Sequence, residues 1–340
     1  MLKHSYNLPT GVSRLSVACD PVILQAVVLS TPFENPVVAD LVAVLAAVTQ
    51  GEPRVLTTQD AQTLPCGPFE PGHKSLQAGL RTWVEQQTHH PLGYVEQLYT
   101  FADSGRYSGP EGTMHAISIS YLALTREAAT PESANAHWQG WYRYFPWEDH
   151  RFGAPTVLAE RIEPALNKWI SKTSNPTTLL ARRERAALTF GLDDQGWSED
   201  RILQRYELLY ELGLVAEGTS GGARARAACL PGDAMRHDHR RILATGIARL
   251  RAKIKYRPVV FELMPPSFTL LQLQQTVEAL AGRSLHKQNF RRLIEQQELV
   301  EETGDVQEGG AGRPAKRFKF RRGVMLERAI SGSKLPLARA

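Results

Sequence analysis

The stretch from Phe268 to Phe320 constrains the chain most, because its punctuation permits few arrangements. Thr269 stands three residues before Gln272, the capping-box spacing in which each side chain satisfies an orphan backbone N–H. Leu270, Leu273, Val277 and Leu280 then recur at helical spacing, and Gly282 supplies the left-handed stop that glycine adopts at little cost. A second helix is predicted from about Leu285 to Gln297. Phe290, Leu293 and Ile294 should point inward, with Lys287, Gln288, Arg291 and Arg292 outside that stripe and Asn289 at its margin. Strand candidates at Leu299–Thr303 and Arg317–Phe320 bracket a glycine-rich loop, Gly309 to Arg317, that carries Arg313, Lys316 and Arg317.

Helix, turn, helix and a hairpin with a basic tip together look like a winged helix-turn-helix. A face of Lys, Gln, Asn and Arg offers donors suited to base edges and phosphates. The candidate DNA contacts are therefore Lys287, Gln288, Asn289, Arg291 and Arg292 in a groove, with Arg313, Lys316 and Arg317 on phosphates. A solvated basic helix beside a flexible hairpin is the plainer alternative. The formal net charge of +5 is mild and gains meaning from its placement. Between Arg236 and Arg257, Asp238 is the lone acid among Arg236, Arg240, Arg241, Arg249, Arg251, Lys253, Lys255 and Arg257. Such clustering reads as the footprint of a polyanion partner. The 3 cysteines, Cys19, Cys66 and Cys229, are far apart and odd in number, which suits a reducing compartment rather than a disulfide framework. The apolar runs are too short to span a bilayer and the N-terminus has no signal pattern, so a cytoplasmic protein without membrane association is expected.

Taken in order, residues 1–36 form an N-terminal extension with one strand candidate, Val22–Leu29. Residues 37–130 read as a mixed α/β domain. They hold two β-like runs broken at Gln50-Gly51-Glu52-Pro53, a Gly/Pro-rich loop, and a helix marked by Leu76, Leu80 and Val84. Strands follow at Gly93–Phe101 and Met114–Leu124. Residues 131–235 form a mostly helical connector. It opens with an aromatic cluster, Trp138 to Asp149, read as packing, with a stacking surface for an adenine or nicotinamide ring as the alternative. Leu179, Leu180, Ala187 and Leu188, then Ile202, Tyr206, Leu209 and Leu212, supply helical stripes before a linker at Thr219–Gly222. Residues 236–265 carry a basic amphipathic helix, a candidate dimer seam, with Ile242, Ile247, Leu250 and Ile254 on one side. His237 and His239 lie two apart and share no helical face, so no metal site is assigned. The winged module occupies 266–325 and a tail 326–340. The fold class is α+β.

The loop–helix LPCGPFEPGHKSLQAGLRTWVEQQT resembles the signature of the Nudix hydrolases, whose helical glutamates hold Mg²⁺ against a diphosphate. In register from Gly67, the first glutamate is replaced by His73, the Arg-Glu pair is Arg81-Thr82, the Glu-Glu pair is Glu85-Gln86, and the last glycine is Thr88. Gly67, Arg81 and Glu85 survive. The resemblance implies the fold without its metal-binding carboxylates, hence no catalytic residue, no metal and no enzyme. An i, i+4 ion pair of Arg81 with Glu85 also explains those survivors. The candidate ligand contacts are Glu70, His73, Arg81, Glu85 and Arg106.

A degenerate Nudix-like domain ahead of a winged helix resembles the Nudix-related transcriptional regulators of NAD metabolism, the NrtR and NadQ type. KYRPVVFELMPPSFTLLQLQ, FRRLIE and GGAGRPA carry the match, with LPCGPF and YVEQLYTF, and the long insert makes the NadQ-like subgroup the closer. His286 departs from it where an aspartate cap is expected, and Ser284 is a substitute. The resemblance implies a repressor of NAD-biosynthesis genes, a homodimer on a near-palindromic double-stranded operator. Its effector would be an adenine nucleotide, ADP-ribose, NAD or ATP, and it would require no cofactor. An active hydrolase drawing ligands from Glu70 or Glu111, and an RNA-binding module, are the alternatives.

Overall fold

A computed structural model of the chain describes residues 15–19, 22–26, 37–102, 115–128, 135–219, 229–256, 259–307, 314–321 and 323. Its strands in chain order are β1 (Leu15–Cys19), β2 (Val22–Ala26), β3 (Val37–Thr49), β4 (Glu52–Thr58), β5 (Cys66–Pro68), β6 (Tyr94–Phe101), β7 (His115–Leu124), β8 (Ala136–Gly140), β9 (Val300–Gln307) and β10 (Ala315–Phe320). The helices are α1 (Leu76–Thr88), α2 (Glu163–Ile170), α3 (Pro176–Phe190), α4 (Ile202–Glu211), α5 (His239–Tyr256), α6 (Leu270–Ala281) and α7 (Lys287–Gln296).

Strand β3 is apolar along both of its faces, and such a strand needs cover on both sides. Leu41, Ala43 and Leu45 pack with Leu80 and Val84 of α1. Val42, Val44 and Ala46 face the opposite cluster, which contains Ile242, Leu243, Ile247 and Leu250 of α5. The sheet between these layers has the order β6-β7-β3-β4-β8, with β5 also paired to β3. β3 runs parallel to β7 and antiparallel to β4. The β3–β4 turn is Gln50-Gly51, both at positive φ (53° and 76°), the geometry that matches hairpin twist. β8 pairs with β4 through Trp138↔Leu56 and its neighbours, so the sheet runs past residue 130, where the sequence places its end. AHWQG alternates Ala136 and Trp138 with His137 and Gln139, a pattern of four residues that the aromatic run after Gly140 obscures. In the N-terminal extension the expected strand is β2, which pairs antiparallel with β1.

The sequence makes α5 a candidate dimer seam, and within the chain most of this helix is buried against the sheet and α4. Gly246 lies so close to β3 that a Cβ there would come within 3.0 Å of Val44. Its cations have acidic partners from distant segments: Arg240 with Glu217 (3.1 Å), Arg241 with Glu207, Lys253 with Glu96, and Lys255 with Glu199 (3.0 Å). The basic run is therefore not a polyanion footprint, although Arg249 and Arg236 are exposed.

At the centre of this charge lattice Glu148 is fully buried between two guanidiniums. Arg205 Nη2 donates to Glu148 Oε2 at 2.8 Å and Arg251 Nη1 to the same oxygen at 2.7 Å. Burial pushes the Glu148 carboxyl up, but Arg205 and Arg251 outweigh it and hold it below the ordinary carboxylate range. Around it Trp141, Tyr144, Phe145 and Trp147 are fully buried, so the aromatic cluster is core. In α3 the packed face is Ala186, Ala187 and Phe190, while Leu179, Leu180 and Leu188 of the expected stripe are exposed.

Removing the Glu148 charge while keeping its shape leaves two buried guanidiniums unpaired. Glu148→Gln is expected to cost about 3–5 kcal/mol of stability, read from the urea unfolding midpoint; a loss below about 1 kcal/mol would show that the carboxylate does not organise the core. His239 gives a second expectation. Its Nδ1 accepts from Leu64 N at 2.8 Å, and burial, then the neighbouring His237, push its pKa down from 6.5 to about 3. The folded state keeps it neutral while the unfolded chain takes up a proton near the ordinary value. Its stabilisation is thus complete above about pH 6.5 and declines as pH falls towards about 3, at up to about 1.4 kcal/mol per pH unit. Urea midpoints measured from neutral to acid pH should fall less steeply in His239→Gln, and an unchanged slope would rule the histidine out as a source.

Candidate functional site

The winged module is built as its sequence suggests. Thr269 N donates to Gln272 Oε1 at 2.8 Å and Gln272 N to Thr269 Oγ1 at 3.2 Å, completing the capping box. Gly282 ends α6 at φ 75°. The turn into α7 is then pinned by α6 itself. Leu285 N donates to Glu278 Oε1 at 2.7 Å, and Gln274 Nε2 donates to Leu285 O at 2.9 Å. This fixes the angle between the two helices with polar groups from one helical face. The Gln274/Glu278 spacing of i, i+4 was the signal available in sequence.

Helix α7 buries Phe290 and Ile294 and exposes Lys287, Gln288, Asn289, Arg291 and Arg292 together. Leu293, expected inward, is 48% exposed, because the buried stripe is centred between Phe290 and Ile294 and leaves it at the edge. His286 at the start of α7 makes no side-chain cap hydrogen bond, which leaves the first-turn N–H groups without that partner. β9 and β10 form the wing stem, and Phe268 adds a short bridge to Phe318. Arg317, expected on phosphate, is turned inward: Nε donates to Ser267 Oγ at 2.6 Å and Nη2 to Ser267 O at 2.9 Å. It fastens the wing to the start of α6. Lys316 is exposed and pairs with Glu302 at 2.7 Å. Arg313 lies outside the described residues.

The Nudix-like loop and helix are locked by close packing. A Cβ on Gly67 would collide with the Trp83 indole, and one on Gly79 would lie 2.6 Å from His73 Nδ1. Trp83 Nε1 donates to Pro68 O at 2.9 Å, and His73 Nδ1 accepts from Glu70 N at 3.0 Å. Arg81 donates to the Leu92 and Gly93 carbonyls, so it forms no i, i+4 pair with the exposed Glu85. His73 and Glu70 are thus brought together, while no hydrogen bond or ion pair among the described residues joins Glu85 to them. Arg106 and Glu111 lie outside the described residues. Among the described residues, no group of three or more His, Cys, Asp or Glu side chains is placed to hold a metal, and no helix is long and apolar enough to cross a membrane.

The two halves meet at the C-terminal end of α6, where helix carbonyls are left without intrahelical partners. Tyr142 Oη donates to Ala279 O at 2.7 Å, Arg251 Nε to Leu280 O at 2.9 Å, and His150 N to Gly282 O at 2.7 Å. A Cβ on Gly282 would sit 2.5 Å from Glu148 O and 2.9 Å from Tyr142 Oη. Sequence reasoning missed this joint, since its donors are scattered along the chain.

Residues 260–320 match the family described as the NrtR DNA-binding winged helix domain. The likeness is confined to the winged helix module. A relative from Acinetobacter baylyi (strain ATCC 33305 / BD413 / ADP1), named ADPR responsive transcriptional repressor NtrR, is 40% identical over 83 residues, 24% of this chain. The chain spans about a third of that relative's length, 33%. Similar solved structures include Shewanella oneidensis NrtR complexed with a 27mer DNA, with 19% identity and a TM-score of 0.49 over 84% of this chain and 94% of that one. A MutT/nudix family protein from Enterococcus faecalis is similar with 16% identity and a TM-score of 0.48 over 86% and 89% of the two chains.

In the winged helix module the exposed face of α7 sets an expectation. Arg291→Ala should weaken binding to a duplex selected by the wild-type protein by about 1–3 kcal/mol if it reads a guanine, measured by fluorescence anisotropy. Unchanged affinity would show that α7 does not present this face to DNA.

Proposed function

We propose that the protein is a ligand-responsive transcriptional repressor of genes of NAD biosynthesis and metabolism. The observation that carries this is the NrtR winged helix domain at residues 260–320, joined to a sheet domain whose signature keeps Gly67, Arg81 and Glu85 but not the other metal-binding carboxylates. The related Acinetobacter protein is named as ADPR responsive, which makes ADP-ribose the first effector to try, ahead of NAD and ATP. Two copies of the chain would present two α7 helices to successive major grooves of a near-palindromic operator. Lys287, Gln288, Asn289, Arg291 and Arg292 would read the groove, while Lys316 and Arg313 would meet phosphates. The nucleotide would be held beside α1, near Glu70, His73, Arg81 and Glu85. A DNA-binding regulator of this kind works in the cytoplasm.

The joint at Ala279, Leu280 and Gly282 supports a mechanical route from the ligand side to DNA. A nucleotide must bind the DNA-competent and DNA-incompetent arrangements unequally in order to switch them. Tyr142 and His150 follow β8 of the sheet domain, so a displacement there reaches α6 through directional hydrogen bonds. No hydrolysis is needed for this.

The test is a gel shift on promoters of NAD-biosynthesis genes, with and without ADP-ribose, NAD and ATP. A specific shift that ADP-ribose alters at lower concentration than NAD or ATP is expected, and absence of any specific shift would overturn the repressor. The same preparation, incubated with ADP-ribose and Mg²⁺, should give no turnover that Glu85→Gln abolishes. Such turnover would establish a hydrolase instead.

A further inference from the structure

Helix α3 packs one face into the insert and leaves the other bare. Ala186, Ala187 and Phe190 are buried, while Leu188 is 48% exposed and Leu180 54%. Thr177, Ala181, Glu184 and Leu188 recur at i, i+4, i+7 and i+11, so they form one stripe along the helix, and all four are exposed. Alongside runs a groove between α3 and α4. Ala181, Glu184 and Leu188 wall it on one side, Leu203, Gln204 and Glu207 on the other. Alternating steps of four and three residues are the spacing by which one helix seats another.

The charges on this face select the partner. Glu184 and Arg185 are adjacent and opposite in sign. The ion pairs of α3 are Arg183 with Asp193 and Arg185 with Glu211, and Glu184 has none among the described residues. Arg185 commits Nη1 and Nη2 to Glu211, each at 2.7 Å, which leaves its Nε–H to donate elsewhere. A partner helix of a single charge sign would meet its own sign at one of these two positions. A second copy does not. With the helices antiparallel about a two-fold axis between residues 184 and 185, Glu184 meets Arg185 of the partner subunit, and Leu188 meets the small Ala181 of the partner subunit. A two-fold contact has to be self-complementary in this way.

We propose that two copies of the chain associate through α3, antiparallel over the α3–α4 groove, with reciprocal Glu184–Arg185 ion pairs. The pairing deepens the repressor reading above, on which its purpose rests, by naming the surface that joins the two copies. Its geometry is transmitted to DNA through fixed contacts. Arg205 of α4 donates to Thr189 O of α3 at 3.1 Å and to Glu148, and Glu148 holds Arg251, which reaches Leu280 of α6. The seating of one α3 on the other therefore sets the separation of the two α7 helices.

Sedimentation equilibrium of the full chain and of full-length Leu188→Glu tests it. The wild type should dimerise, and the variant, which alters a side chain already open to water, should raise the dimer Kd at least roughly tenfold with an unchanged circular dichroism spectrum. A dimer that Leu188→Glu leaves unaltered would overturn this surface and leave a dimeric repressor standing. A wild-type chain that stays monomeric at every concentration would overturn the pairing outright. Loss of the dimer with operator affinity unchanged would support the surface while removing the dimer from DNA binding. The register has its own check. Ala181→Cys and Leu188→Cys chains, mixed in equal amounts, should form a 181–188 disulfide faster than either chain links to itself, read by mass spectrometry of the joined peptides. Equal rates would sink the antiparallel arrangement.

Discussion

The Glu148 carboxylate, buried between Arg205 and Arg251, is the contact on which the arrangement of the chain depends. It brings together the segment after β8, helix α4 of the insert and the central helix α5, and Arg251 reaches on to the end of α6. Replacing a buried ion cluster by apolar groups of equal volume is often neutral, so net stability is a weak account of its presence. Geometry gives a better one. A guanidinium fork meets a carboxylate in few orientations, whereas an apolar trio would slide. Once Glu148 is seated, the insert, α5 and the winged domain have one relative placement.

That placement explains the destination of the chain's positive charge. Most cations of α5 face inward or sideways to Glu217, Glu207, Glu96, Glu148 and Glu199. The wing stem is similarly balanced, with Lys316 against Glu302 and Lys319 against Glu301. Among the described residues, Lys287, Arg291 and Arg292 of α7 form one exposed positive face. A charge count along the sequence therefore overstates the basic surface and misplaces it. The surface suited to a polyanion is narrower and more directional than the composition suggests.

The capping box, the glycine stop and the split faces of α7 were legible because each is settled within a few residues. So was the break between β3 and β4, which Gln50-Gly51 marks. The charge lattice was not legible. Arg251 and Glu148 are 103 residues apart and Arg205 and Glu148 57, and local pattern has no access to such partners. Arg317 failed for a related reason, since the basic wing suggested phosphate while Ser267, in another element, offered two acceptors. In the Nudix-like segment the sequence reading singled out Gly67, Arg81 and Glu85. The structure supplies reasons for two of them in packing and tethering, with Gly67 under the Trp83 indole and Arg81 on the 92–93 carbonyls.

The hydrogen bonds at Ala279, Leu280 and Gly282 bear on how this chain can be divided. Family comparison delimits residues 260–320 as a unit of descent, yet that unit does not end where its physical supports do. Excised alone, it would keep its own caps and turn but lose the donors that satisfy the last carbonyls of α6. The remainder would be left with Arg251 and Tyr142 facing water where a helix end belonged. A boundary drawn from homology thus cuts through a shared polar joint. Chimeras that exchange the winged domain between relatives will need to carry α5 and the segment from Tyr142 to His150 with it.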